Sequence, residues 1–209
     1  MKTPPGETSI RDFLAAVASA EEAHGAVSAA AVAGGIGASL LAMVAALPKT
    51  RSDSAVDRME LMKAATALSD VPEQLIETIE TETAVKIFAA RNLPQASEAQ
   101  GTDRQAAIQL ALRSAADVPL EVMRLCARGL KLGHTVAVHS TRAAAADVQL
   151  AVALLHAAFS GVRTNLEGKL SSLTDRAYVT SVVDEIARLS EEATDAIRAA
   201  ESILQLPSA

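Results

Sequence analysis

Aromatic side chains are nearly missing from this chain. Among 209 residues there are three phenylalanines, one tyrosine and no tryptophan, although half of all residues are apolar. A core must therefore be assembled from Ala, Leu, Val and Ile, as it is where helices pack closely. Blocks of alternating β-branched residues between turn signals are also absent, which argues against a sheet. A basic excess is lacking: 19 Lys and Arg stand against 25 Asp and Glu, a formal net charge of −6, so there is no electrostatic case for a nucleic-acid partner. The single cysteine, Cys126, excludes an intrachain disulfide and carries no further information on compartment. Glu21 and Glu22 precede the first apolar run where a secretory leader would be basic. No internal repeat is found. The cytoplasm is the default expectation.

What the chain does have is one long uncharged stretch, AVSAAAVAGGIGASLLAMVAAL, from Ala26 to Leu47. Alanine favours helix, and the fourfold spacing of Ala30, Gly34, Ala38, Ala42 and Ala46 draws a bare ridge along it. Ile36, Leu40 and Val44 form a bulky ridge roughly 200° away. A helix apolar on all sides belongs inside something. Its length would also suit a membrane span, but nine of its 22 residues are alanine and three are glycine, which contribute little to transfer into lipid. We expect a buried central helix and no membrane.

The remaining chain reads as amphipathic helices. At 209 residues one domain is expected, with 1–8 and 205–209 as tails. Ser9 and Asp12 open a first helix carrying Ile10, Phe13, Leu14 and Val17. Pro48 ends the central helix. A third helix, about Ala55 to Leu68, places Val56, Met59 and Met62 on its inner face. Pro72 starts a fourth, with Leu75, Ile76, Ile79, Thr83 and Ile87 inside and an end by Asn92. A loop over 93–103 precedes a fifth helix from about Arg104, kinked or split at Pro119 and stopped at Gly133. After a link with two histidines, an Ala-rich helix runs from about Arg142 to Leu170, with Val148, Ala151, Val152, Leu155 and Phe159 inside. Thr174 or Asp175 caps the last helix, whose seam is Val179, Val182, Ile186, Leu189, Ile197 and Leu204.

Several of these stretches carry a resemblance. SIRDFLAAVAS at 9–19, SAAAVAGGIGASLLAMVAAL at 28–47, LPQ at 93–95, AAIQLALRSAADVPLEVMRL at 106–125 and VRTNL at 162–166 are similar to the cyclodeaminase/cyclohydrolase family of folate one-carbon metabolism. The resemblance implies an all-α, up-and-down helical bundle that forms a homodimer. It implies opening or closing of the 5,10-methenyl bridge of tetrahydrofolate, or ammonia loss from the 5-formimino derivative, with a reduced folate as substrate and no further cofactor. The polar signatures match less well. The family's Pro-Gly-Gly-Gly-Ser reads His24, Gly25, Ala26, Val27, Ser28; its Asn-Leu-Thr reads Ala46, Leu47, Pro48; its Ser-Asp pair falls on Arg142 and Ala143; and an Asn is replaced by Gly161. A kept scaffold with altered polar positions leaves two readings: an enzyme using other residues, or a non-catalytic helical dimer that binds a pterin or a partner protein.

The candidate residues follow from chemistry and from that resemblance. Ser28 can cap the central helix or touch ligand, and Gly25 keeps backbone donors approachable at the helix start. His24 and His139 are candidate proton carriers near neutral pH. Glu80 and Glu82 fall where the family is acidic; a carboxylate facing a pocket is a candidate general acid or base, and Glu80 is taken for that role. Arg163 and Asn165 match the family motif, the former with a fork suited to a folate carboxylate. His156 reads as a core histidine. His134 and His139 lack the companions a metal site needs, so none is expected.

Overall fold

The computed structural model describes residues 7–19, 25–47, 54–98 and 102–205, without the side chains of 90–98, 102 and 103. The described chain forms helices α1 (Ile10–Ala18), α2 (Ala26–Ala46), α3 (Ala55–Leu68), α4 (Val71–Glu98), α5 (Thr102–His139), α6 (Ala145–Leu170, entered by a 3-10 turn at Arg142–Ala144) and α7 (Arg176–Leu204), with no strand among the described residues. Ser9, Ser54 and Asp175 cap α1, α3 and α7, each accepting from a backbone N–H three residues on.

The central stretch does become the hub: α2 packs on α3, α4, α5 and α6. Glycine sets how closely. A Cβ added at Gly37 would stand 2.8 Å from the Ala151 carbonyl oxygen and 3.0 Å from Leu155 Cγ, and one at Gly34 would meet Cys126 Sγ at 3.0 Å and Ala158 Cβ at 3.5 Å. These contacts fix direction. Gly34 with Ala158 and Gly37 with Ala151 make α6 antiparallel to α2, while Gly34 with Cys126 and Leu41 with Gly133 make α5 parallel to it. Gly34 with Leu75 and Gly35 with Pro72 make α4 antiparallel to it.

Of the bare ridge, Ala30, Gly34 and Ala38 are buried, Ala42 is half-buried and Ala46 is exposed. The helix is not enclosed on all sides within one chain: Val44 is buried, but Ile36 is 51% and Met43 40% exposed. Both α2 and the stretch 142–170 are long and apolar enough to cross a membrane by length and composition, and half of the apolar stretch of α2 is packed inside the bundle.

Several boundaries and faces differ from expectation. The third helix buries Leu61, Ala64 and Leu68 and leaves Val56, Met59 and Met62 exposed; two apolar stripes lay on that helix, and packing used the one with alanine in it. On α4, Ile87 is exposed and the helix runs past Asn92 through 93–98. Gly133 does not stop α5. A Cβ added there would stand 3.2 Å from Val152 and 3.3 Å from Leu41, and one at Gly129 would stand 2.8 Å from Leu155, so both glycines admit neighbours, Gly133 at the place where a stop was expected. The expected link with two histidines is helical, and Pro119 lies within an unbroken 38-residue α5. The inner face of α6 is as expected, with Val148, Ala151, Val152, Leu155 and Phe159 all buried. The tails at 1–6 and 206–209, the turn at 20–24, Pro48 with the link 49–53, and 99–101 lie outside the described residues.

Gly37→Ala should lower stability by about 1–3 kcal/mol, because the obstacle is a backbone carbonyl that cannot swing aside. Gly35→Ala, whose added methyl meets nothing closer than 3.9 Å, should melt close to the parent in a thermal scan.

Candidate functional site

The first turn of α2 starts at Gly25, whose backbone is extended and which offers no side-chain cap. The expectation that Ser28 caps the helix is therefore corrected: Ser28 is the third residue of α2, and its side chain goes elsewhere. Only 1% exposed, its hydroxyl donates to Glu82 Oε2 on α4 at 2.5 Å. Glu82 Oε1 in turn lies 3.1 Å from Lys86 Nζ, one turn along α4. The carboxylate keeps 13% of its side-chain surface. The antiparallel course of α2 and α4 makes this meeting possible, and the positive end of the α2 dipole favours an anion there.

Two more elements close the site. In α5, Pro119 has no N–H to offer the Ala115 carbonyl, so that acceptor loses its ladder donor. Ala115, Val118 and Pro119 wall a cavity of about 30 Å³ together with Val27, and Glu82, Lys86 and Lys169 supply its charges. Val27 also belongs to the core, at 3% exposure, so it is more than a pocket border. From α6, Asn165 lies one turn before Lys169, and its Oδ1 is buried without a hydrogen-bond partner among the described residues. A buried acceptor left unpaired awaits a donor. The cavity suits a single water molecule; a ligand needing several hundred Å³ does not fit inside it.

The other candidates are dispersed. Glu80 is exposed, two residues and about 200° from Glu82 on the helix. Arg163 is exposed and pairs with Glu167 at 3.3 Å. Gly25 is half-buried, with open space where a Cβ would stand. His139 ends α5 and pairs through Nδ1 with Asp57 Oδ1 at 2.7 Å. That pair, with Arg142 and Ala143, lies at the opposite end of the bundle, since Gly133 already adjoins Leu41 and α2 spans roughly 30 Å. His156 is exposed on a groove between α6 and α7, which corrects the reading of a core histidine; the buried face of that turn is Leu155, Ala158 and Phe159. His134 is half-buried within α5. His24 lies outside the described residues. Burial pushes the Cys126 thiol up to about 12, so it stays a neutral packing group. No group of three or more His, Cys, Asp or Glu gathers as metal ligands among the described residues.

Lys86 and Lys169 were not singled out in the sequence. The Glu82–Lys86 spacing of four was a legible signal. Nothing in one dimension links Ser28 to Glu82, 54 residues apart, or either to Lys169.

A family model described as formiminotransferase-cyclodeaminase matches residues 9–188. A methenyltetrahydrofolate cyclohydrolase from Methylorubrum extorquens is 28% identical over 191 residues, covering 90% of this chain and 91% of that protein. A formimidoyltransferase-cyclodeaminase from Gallus gallus is 26% identical over 187 residues, covering 87% of this chain and 34% of that longer protein. The solved formiminotetrahydrofolate cyclodeaminase from Thermotoga maritima superposes with a TM-score of 0.83 at 18% identity, covering 95% and 96% of the two chains.

Ser28→Ala should cost about 1–2 kcal/mol in urea unfolding, because a hydrogen bond to a largely enclosed carboxylate is lost and nothing replaces it.

Proposed function

This chain belongs to the formiminotransferase-cyclodeaminase family, and from that premise we propose that it acts on the one-carbon bridge of a reduced folate. The reaction is hydrolysis or closure of the 5,10-methenyl bridge, or ammonia loss from the 5-formimino derivative. The observation that carries this reading is Glu82: a carboxylate largely withdrawn from water, held by Ser28 and Lys86, beside a cavity sized for the water that hydrolysis consumes. The nearly full-length match to a cyclohydrolase supports it.

In the hydrolytic direction Glu82 faces the positive bridge carbon and takes a proton from the attacking water. Ser28 and Lys86 hold the carboxylate in place, so no reorganisation is needed as charge shifts. The Ala115 carbonyl, on the cavity wall and without its ladder donor, is an acceptor for an N–H of the pterin ring. The loss of a carboxylate at position 143 does not bear on this chemistry within one chain, because that position stands at the far end of the bundle. The non-catalytic alternative is therefore not favoured: a positioned carboxylate survives.

A homodimer is part of the same proposal, with the chain in the cytoplasm as an up-and-down bundle. The antiparallel pairing of α2 with α4 and α6 supports the bundle. The uncovered side of α2 supports the dimer. Helix α1 buries none of its residues, leaving Ile10 81% and Leu14 61% exposed beside exposed Ile36. An apolar hollow of about 410 Å³ separates Phe13 and Val17 from Val32 and Ile79. A second copy covering this face would enclose the helix that the sequence reads as buried all round.

Glu82→Gln should lower methenyl-tetrahydrofolate hydrolysis, followed by loss of its absorbance, about 10²–10⁴-fold. Glu80→Gln should match the parent. No turnover above the buffer rate in the parent protein would rule out the enzymatic reading. Light scattering should give a dimer mass at micromolar concentration, and Ile36→Glu with Met43→Glu should give a folded monomer; a parent monomer would refute the assembly.

A further inference from the structure

Among the described residues, Lys169 differs from Glu82 and Lys86 in having no ion-pair partner. Lys86 is engaged by Glu82 at 3.1 Å. Lys169 is half-buried, lines the same cavity, and has neither an ion pair nor a side-chain hydrogen bond among the described residues. Glu82 lies beyond ion-pair distance from it, with space for about one water between them. An ammonium offers three donors and no acceptor. Whatever atom occupies the space before it must accept a hydrogen bond and tolerate a positive neighbour.

Resting on the reading above, we infer that Lys169 is a specificity-determining residue that makes this site handle an oxygen at the bridge carbon in preference to a nitrogen. In hydrolysis, the water oxygen bonds to the bridge carbon while one of its protons passes to Glu82. The bond from that carbon to N5 then breaks, its electron pair stays on N5, and N5 takes up the proton held by Glu82. The remaining hydroxyl proton is released to solvent as the oxygen becomes the formyl carbonyl. One water is consumed and one proton released. At each stage that oxygen has lone pairs for Lys169, and in the closing direction Lys169 draws electrons from the formyl oxygen that must depart.

The formimino substrate presents a nitrogen at the same place. That nitrogen carries hydrogens, gains a proton before leaving as ammonia, and then has only donors and a positive charge to set against the ammonium. The methenyl cation itself is common to both reactions, as substrate of one and product of the other. Lys169 repels it in both reactions, so the heteroatom is what distinguishes them at this residue. Lys169 also sits in the last turn of α6, where a cation stabilises a helix; that role alone would alter melting and leave substrate preference untouched.

The test uses the full chain, with Lys169→Met and Lys169→Arg. Methenyl-tetrahydrofolate hydrolysis gives kcat, and 5-formimino-tetrahydrofolate serves as a competitor of that reaction to give its inhibition constant. Circular dichroism and a thermal scan confirm folding. Lys169→Met should lower kcat about 10²-fold, the size of effect seen when a positioned donor to a reacting oxygen is removed. It should tighten the formimino competitor about tenfold, because the ammonium no longer opposes the N–H donor of the formimino nitrogen. Lys169→Arg should keep both values near the parent. Unchanged hydrolysis in Lys169→Met overturns the inference, as does competitor binding that weakens together with kcat. Hydrolysis by neither the parent nor its variants overturns the proposed function along with it; robust parental hydrolysis with either of the first two results overturns the inference alone.

Discussion

Helices α2 and α6 approach so closely that Gly37 leaves no room for even a methyl group against the Ala151 carbonyl. Everything else at the site depends on that contact. It sets the register of two antiparallel helices, and from it the first turn of α2 comes level with Asn165 and Lys169 at the other end of α6. The parallel course of α5, held by Gly34 against Cys126 and Gly133 against Leu41, brings Pro119 to the same corner. A core poor in aromatics can work this way because small side chains let backbones approach, and many short contacts replace a few large ones.

The charges of the site follow the same logic. A carboxylate that keeps 13% of its side-chain surface persists only where hydrogen bonds and opposite charge offset its lost hydration. Ser28, Lys86 and the start of α2 provide that. Charged clusters elsewhere serve the scaffold. Arg124 joins Glu121 and Glu185, tying α5 to α7, and holds the Glu185 carboxyl below its ordinary value. Tyr178 donates to Asp117 at 2.6 Å under the Arg113 guanidinium; burial, chiefly, raises its phenol.

The helices were largely legible in one dimension, because each needs an apolar stripe at helical spacing and a cap or break at its ends. Where the reading failed, tertiary packing had overridden a local rule. Gly133 is a good helix stop in isolation, but within the bundle it is a seat for Val152 and Leu41. Val56, Met59 and Met62 make a plausible inner face, and α3 turned another one inward. The site was less legible. Glu80 and Glu82 are equivalent in the sequence, and only their orientation on α4 tells them apart.

By itself, then, the sequence determined the class of fold, the identity of the central helix and the family resemblance. Those properties reside in local periodicity and in runs of residues that stay contiguous. The tertiary structure alone decided which carboxylate is enclosed, that Ser28 serves that carboxylate and does not cap its helix, and that Lys169 shares its cavity. These are relations between residues 54 and more positions apart, created when helices dock in one register. A shift of a single residue on a helix turns a side chain by about 100°, enough to move it from the cavity into solvent.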